Sequence, residues 1–240
     1  MKMRFVELFI VITLFLALAT ILLPAFSRTR ETSRRSSCQN NLMEFALVFK
    51  MYTNESKGEV YPGVSHIPCN WLPDIKQIYP EYVCDLNIFA CPSNPFYYTQ
   101  KELMWSNADG SSRPACVGSF SYLYTGYAIW RDEQAQALFS ARSLLAPEDF
   151  GLWSIEISVP NEKQPIVPPV SEIPIMWDRL GLSEMDSNHV PAGSNVLYAD
   201  GHVCFQQYSY YNGIEQFPVT YSMASTFGSS VPQLSQDCYK

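Results

Sequence analysis

Residues 5–52 read FVELFIVITLFLALATILLPAFSRTRETSRRSSCQNNLMEFALVFKMY. A lone acid, Glu7, follows two basic residues, Lys2 and Arg4. From Leu8 to Phe26 no side chain carries a charge, and Pro24 is the one interruption. Beyond Phe26 the text turns charged and then amphipathic, with Leu42, Phe45, Phe49 and Tyr52 recurring at steps of three and four. Those steps trace one face of a helix. A helix from Phe5 to Phe26 rises roughly 33 Å, enough to cross a hydrocarbon core of about 30 Å. The order of the pieces predicts one long helix, half in lipid and half in water, ended by Gly58 and Pro62. Its outer stripe is expected to pack on a sheet.

Three readings compete for the apolar run. Ala17-Leu18-Ala19 offers an Ala-x-Ala cleavage site for a secretory signal, yet Ile21-Leu22-Leu23 keeps the segment apolar past it and Glu7 interrupts the apolar region. An ordinary membrane anchor leaves Glu7 without a purpose. In the third reading, Glu7 pairs with an α-amino group, because an acid near the start of a membrane helix is costly unless partnered.

Net charge is −7, and half of the 16 Lys and Arg precede Gly58, so the distal part is acidic. That argues against nucleic acid as a partner, since phosphate binding needs a basic surface. Seven cysteines stand at 38, 69, 84, 91, 116, 204 and 238, with no Cys-x-x-Cys spacing, which weakens zinc-ribbon and thioredoxin-like readings. A domain delivered across a membrane sits where disulfides persist, so bridges are expected, with connectivity left open and at least one thiol over. Arg28, Arg30, Arg34 and Arg35 follow the span. Counted by the positive-inside rule they place the large domain in the cytoplasm, whereas the cysteines place it outside; the expectation adopted is outside.

Residues 58–117 read as loops with short elements. The run FSYLYTGYAIW (120–130) is aromatic and β-prone. Residues 131–146 read as a helix, 150–157 as a strand, and the proline-rich stretch 160–174 as a surface loop. A short strand is expected at Ile175–Trp177. The clearest signal is NVLYA-DG-HVCFQ, two β-rich runs joined by Asp200-Gly201, a hairpin in which Val196, Tyr198, Val203 and Phe205 supply alternating faces. Residues 225–240 read as an irregular tail tied down by Cys238.

The N-terminal text MRFVELFIVITL…LLPAFSRTRE resembles the class III signal of type IV pilins and type II secretion pseudopilins, a Gly followed by Phe-Thr-Leu-Ile-Glu-Leu and a long apolar run. Aligned on Glu7, Met3 becomes the first mature residue, and Lys2 stands where the family requires a Gly or small residue. Pro24 falls where many pilins carry a helix-kinking proline. Further along, RRSSCQNNL with Cys38, Asn40 and Asn41 resembles the family's Cys-x-Asn-Asn-Leu, and Cys91-Pro92-Ser93 resembles its Cys-Pro-Ser motif. His189 through Asp200-Gly201 resembles the His-x9-Asp-Gly motif of prepilin-like proteins, with ten intervening residues instead of nine. Together these matches span nearly the whole chain.

Catalytic signatures such as Gly-x-Ser-x-Gly, His-Glu-x-x-His or a phosphate loop are absent from the sequence. His66 reads as a solvent-exposed structural residue. His189, Asp200 and His202 are candidates to converge on a metal, with calcium the cofactor the resemblance suggests; against this, Asp200 suits an Asx hydrogen bond in a turn and His202 begins a strand. Arg28–Arg35 is either a lipid-headgroup contact or a solvated helix face.

The expectations are therefore an α+β, type IV pilin-like fold. Residues 1–57 form the membrane-spanning and amphipathic helix, and residues 58–240 form a loop-rich head on an antiparallel sheet. The resemblance implies a non-enzymatic, single-pass subunit or minor component of a secretion or pilus-like assembly, in the inner membrane with its head outside. Its partners would be membrane lipid, homologous subunits and assembly machinery. Two alternatives stand: a tethered binding module using tyrosines of 120–130 for a glycan, and a hydrolase acting through His189 and Asp200.

Overall fold

The computed structural model describes residues 2–56, 60–104, 111–144, 168–182, 186–190, 193–209, 212–228, 232 and 234–239. The first element, α1, runs unbroken over Lys2–Glu55, 54 residues, with Pro24 inside it. Gly58 and the strand expected at 150–157 lie outside the described residues. Arg4–Leu23 is long and apolar enough to cross a membrane and buries none of its window against the rest of the chain. The hydroxyls within it are satisfied locally: Thr13 donates to the Phe9 carbonyl and Thr20 to that of Ala17, both at 2.8 Å.

The outer half of α1 meets the head. Cys38, Leu42, Phe45, Val48 and Phe49 are buried, and Tyr52 is half-buried. They face a four-stranded antiparallel sheet in sequence order, β1 (Tyr122–Tyr124), β2 (Pro174–Asp178), β3 (Gly193–Tyr198) and β4 (Val203–Gln207). The fold is α+β. Phe45 meets Phe89 edge-on at 4.8 Å, and Phe49 lies 5.1 Å from Tyr124, aromatic pairings that add to the area they bury. Tyr122 and Tyr124, offered above as glycan-facing, are buried in this core.

The expected alternation in β3 is absent: all six residues are buried, as are all five of β2. The central strands are covered on both sides. A second aromatic cluster forms where Trp71 meets Phe227 at 4.8 Å and Phe139 of α2 (Asp132–Leu144) at 6.0 Å. β2 holds the polar donors of β3: Ser194 Oγ donates to the Asp178 carbonyl at 2.9 Å, and Asn195 Nδ2 to Asp178 Oδ2 at 2.8 Å. Asp200-Gly201 makes the hairpin turn, with Gly201 at φ +93°, a region that disfavours side chains. Within the tail expected to be irregular from 225 onward, the described residues form helical turns at Tyr221–Gly228 and Gln236–Tyr239.

Two disulfides tie the layers. Cys38–Cys91 joins α1 to the loop after the 3-10 turn Leu86–Phe89, and Cys116–Cys238 joins the segment before β1 to the C-terminal turn. Cys69, Cys84 and Cys204 are free.

Candidate functional site

Four segments converge beside the Cys38–Cys91 bridge. On α1, Glu31, Arg35 and Cys38 continue the Leu42–Phe45–Phe49 stripe backwards at the same steps of four and three, so one helix face carries them all to the head. The loop at 89–94 supplies Cys91 and Ser93. The last residue of β2 supplies Asp178, and the segment bridging into β3 supplies His189, which pairs across the backbone with Gly193.

His189 is fully buried between two carboxylates. Its Nδ1 lies 2.9 Å from Glu31 Oε1 and its Nε2 lies 3.0 Å from Asp178 Oδ2, itself fully buried. Cys91 Sγ stands 3.7 Å from the same Nε2. Ser93 Oγ donates to both oxygens of Glu31 at 3.1–3.2 Å. The backbone N–H and the Nδ2 of Asn195 each donate to Asp178 Oδ2 at 2.8 Å. Asp178 Oδ1 is buried with no partner among the described residues. The Arg35 guanidinium covers the Phe205 ring at 3.7 Å, a cation–π contact that closes one side. Gly193 is required beneath that ring, because a Cβ there would sit 2.2 Å from Phe205 Cζ.

A buried amide network holds the loops in place. Asn94 Nδ2 donates to Asn188 Oδ1 at 3.0 Å, Asn188 Nδ2 to the Ser121 carbonyl at 2.7 Å, and the Cys91 N–H to Ser121 Oγ at 3.0 Å. Asn41 Nδ2 donates to the Tyr122 hydroxyl at 3.0 Å, whereas Asn40 is exposed and Pro92 half-buried.

Burial by itself would lower the His189 pKa, but the facing Asp178 and Glu31 carboxylates outweigh it and hold the group above its ordinary value. With a carboxylate at each nitrogen, both contacts favour the protonated imidazolium, which donates from Nδ1 and Nε2. Its contribution to stability is complete below the unfolded value of about 6.5 and is lost as pH rises through the folded value. Urea unfolding across a pH series is expected to show stability falling by up to about 1.4 kcal/mol per pH unit within that window. A His189→Leu chain is expected to lack this slope; a wild-type profile with the same shape as the variant's would contradict the assignment.

The structure separates the residues grouped above as a metal candidate. His189 precedes β3, whereas Asp200 and His202 follow it, and a six-residue strand extends close to 20 Å. Asp200 Oδ1 accepts from the His202 N–H at 3.0 Å and lies 2.6 Å from His202 Nδ1 in an exposed turn, and His202 stacks on Tyr198 at 4.4 Å. These contacts lower the Asp200 pKa, the backbone hydrogen bond first. The three residues of the metal candidate, His189, Asp200 and His202, are therefore not brought together, nor is the pair His189 and Asp200. His66 is exposed and lies 3.4 Å from Asp74. Glu7 sits in the exposed apolar span.

Sequence reasoning missed Glu31, Arg35, Asp178 and Asn195. The first two were findable, since they extend the helical stripe. Asp178 and Asn195 carried no local signal.

Comparison of the chain with protein-family models, with curated proteins and with solved structures finds no match.

Proposed function

We infer that this chain is a membrane-anchored, prepilin-like structural protein, a subunit or minor component of a type II secretion or type IV pilus-like fibre. The observation that carries the reading is α1 itself: one unbroken helix whose first half is apolar and unburied and whose second half belongs to the head's core. Such a helix offers lipid-embedded sides for neighbouring copies to stack against while the head sets surface contacts. Further support comes from three stretches that resemble family motifs, around Cys38, Cys91 and His189, which meet at one buried cluster far apart in sequence. Two disulfides favour an oxidising compartment for the head, hence outside the inner membrane. On this reading the chain performs no catalysis, and Glu7 sets register by pairing with the terminal amine of an adjacent subunit.

Glu7→Ala in the full-length, tagged chain tests this. The variant is expected to remain in the membrane fraction, because losing a charge favours insertion, and to disappear from the sheared filament fraction. Equal recovery of wild type and variant in sheared filaments would refute the register role. Absence of both from that fraction, with both in the membrane, would favour a tethered module.

A further inference from the structure

We propose that Cys38, Cys91, Asp178 and His189 form a zinc site when the Cys38–Cys91 pair is reduced, so that bridge and metal are alternative occupants of one cavity. The four residues are each completely buried, and one ligand atom from each lies within 4.8 Å of all the others. Two thiolates, an imidazole and a carboxylate are a tetrahedral, borderline-soft donor set, which suits zinc and leaves no position open for substrate. Around a tetrahedral zinc, sulfur and nitrogen ligands sit roughly 3.5 Å apart, close to the 3.7 Å between Cys91 Sγ and His189 Nε2.

Two further observations point to a cation. Asp178 Oδ2 takes both Asn195 donors and faces His189 Nε2, which leaves Oδ1 a buried carboxylate oxygen without a partner among the described residues. An oxygen in that position is costly unless something cationic or donating reaches it. Glu31 meets His189 at Nδ1, the nitrogen away from the sulfurs. A carboxylate holding the outer N–H of a ligating histidine is the usual support for such a ligand, because it fixes the tautomer that presents Nε2 to the metal.

The exchange balances. A dithiol reductant delivers two electrons and two protons to the disulfide; its own two sulfurs join, the Cys38–Cys91 bond breaks, and two thiols result. Zinc then displaces both thiol protons and the Nε2 proton of His189 to solvent, while Nδ1 keeps its proton against Glu31. With the bridge closed, neither sulfur carries the charge that a metal requires. The same Asp178 and Glu31 then hold the imidazolium described above. The site lies where α1 leaves the span and enters the head, so either occupant fastens helix to head.

The test uses the full chain in detergent micelles, with Cys69, Cys84 and Cys204 replaced by Ser. It is reduced with a phosphine without oxygen and loaded with zinc or with cobalt as a spectroscopic substitute. The reduced protein is expected to retain one zinc per chain. Its cobalt form should show thiolate-to-metal charge transfer with tetrahedral visible bands, and the oxidised protein should show neither. Cys38→Ser is expected to abolish the charge-transfer band even though Cys116 and Cys238 remain. Glu31→Gln is expected to weaken zinc binding about 10–100-fold, and Asp178→Asn at least as much. Near-ultraviolet dichroism, reporting on Trp177 beside Asp178, follows the fold. Bands that persist in Cys38→Ser, affinity indifferent to Asp178→Asn, or a reduced chain whose native dichroism is intact without retained zinc would each overturn the proposal. So would a reduced chain that unfolds and is not restored by zinc.

Discussion

Replacing Cys116 and Cys238 together by Ser is expected to lower the unfolding free energy of the head by about 5 kcal/mol on the loop-closure account. The bridge spans 122 residues, a loop that contains all four strands and α2, so losing it frees more unfolded-chain entropy than losing the bridge of separation 53. The loss is local as well as entropic. Arg113 Nη2 donates to the Cys238 carbonyl at 2.5 Å, which fastens the last helical turn beside the segment leading to β1. A fall of about 10–20 °C in melting temperature follows for a domain of this size. The double variant is the right instrument, since chemical reduction opens both bridges at once. A midpoint change in urea worth under about 1 kcal/mol would sink the loop-closure argument, because it would imply that the denatured chain is already compact without the link.

His189→Leu carries the second large effect. Among the described residues it leaves Asp178 fully buried with Asn195 as its one donor and leaves Glu31 with Ser93 alone. Breaking a buried pair by removing one member costs about 3–5 kcal/mol, chiefly from the stranded charge. The double variant Asp178→Asn with His189→Leu removes that charge too, and it is expected to be more stable than the two single losses summed, with coupling above about 1 kcal/mol. Additive losses would mean that His189 contributes packing and not charge. The effect should also concentrate at the junction of α1 and the head. Hydrogen exchange is therefore expected to quicken around residues 31–38 more than in α2.

Much of this architecture was legible because it rests on short-range periodicity. Leu42, Phe45 and Phe49 announce a buried helix face by their spacing alone, and Asp200-Gly201 between apolar runs announces its hairpin through the φ that Gly201 must adopt. The helix at Asp132–Leu144 and the strand around Ile175–Trp177 were likewise readable. Alternation in β3 failed for a physical reason. It presumes one wet face, and here every residue of β3 is buried, so Ser194 and Asn195 are held by Asp178 instead of by water. Tyr122 and Tyr124 misled in the same way, since a tyrosine's amphipathic ring fits a core as well as a surface.

From the sequence alone came a lipid-length helix continued by an amphipathic one, an acid inside the apolar run, the closing hairpin and enough cysteines for bridges. Each of these depends on neighbours within a few residues along the chain. Only the tertiary structure decided which cysteines pair, that His189 answers to Asp178 and Glu31 and not to Asp200, and that Cys38, Cys91, Asp178 and His189 share a cavity. Those meetings join positions up to 158 residues apart. They are fixed by strand register and by the docking of α1 on the sheet, and no local pattern encodes either.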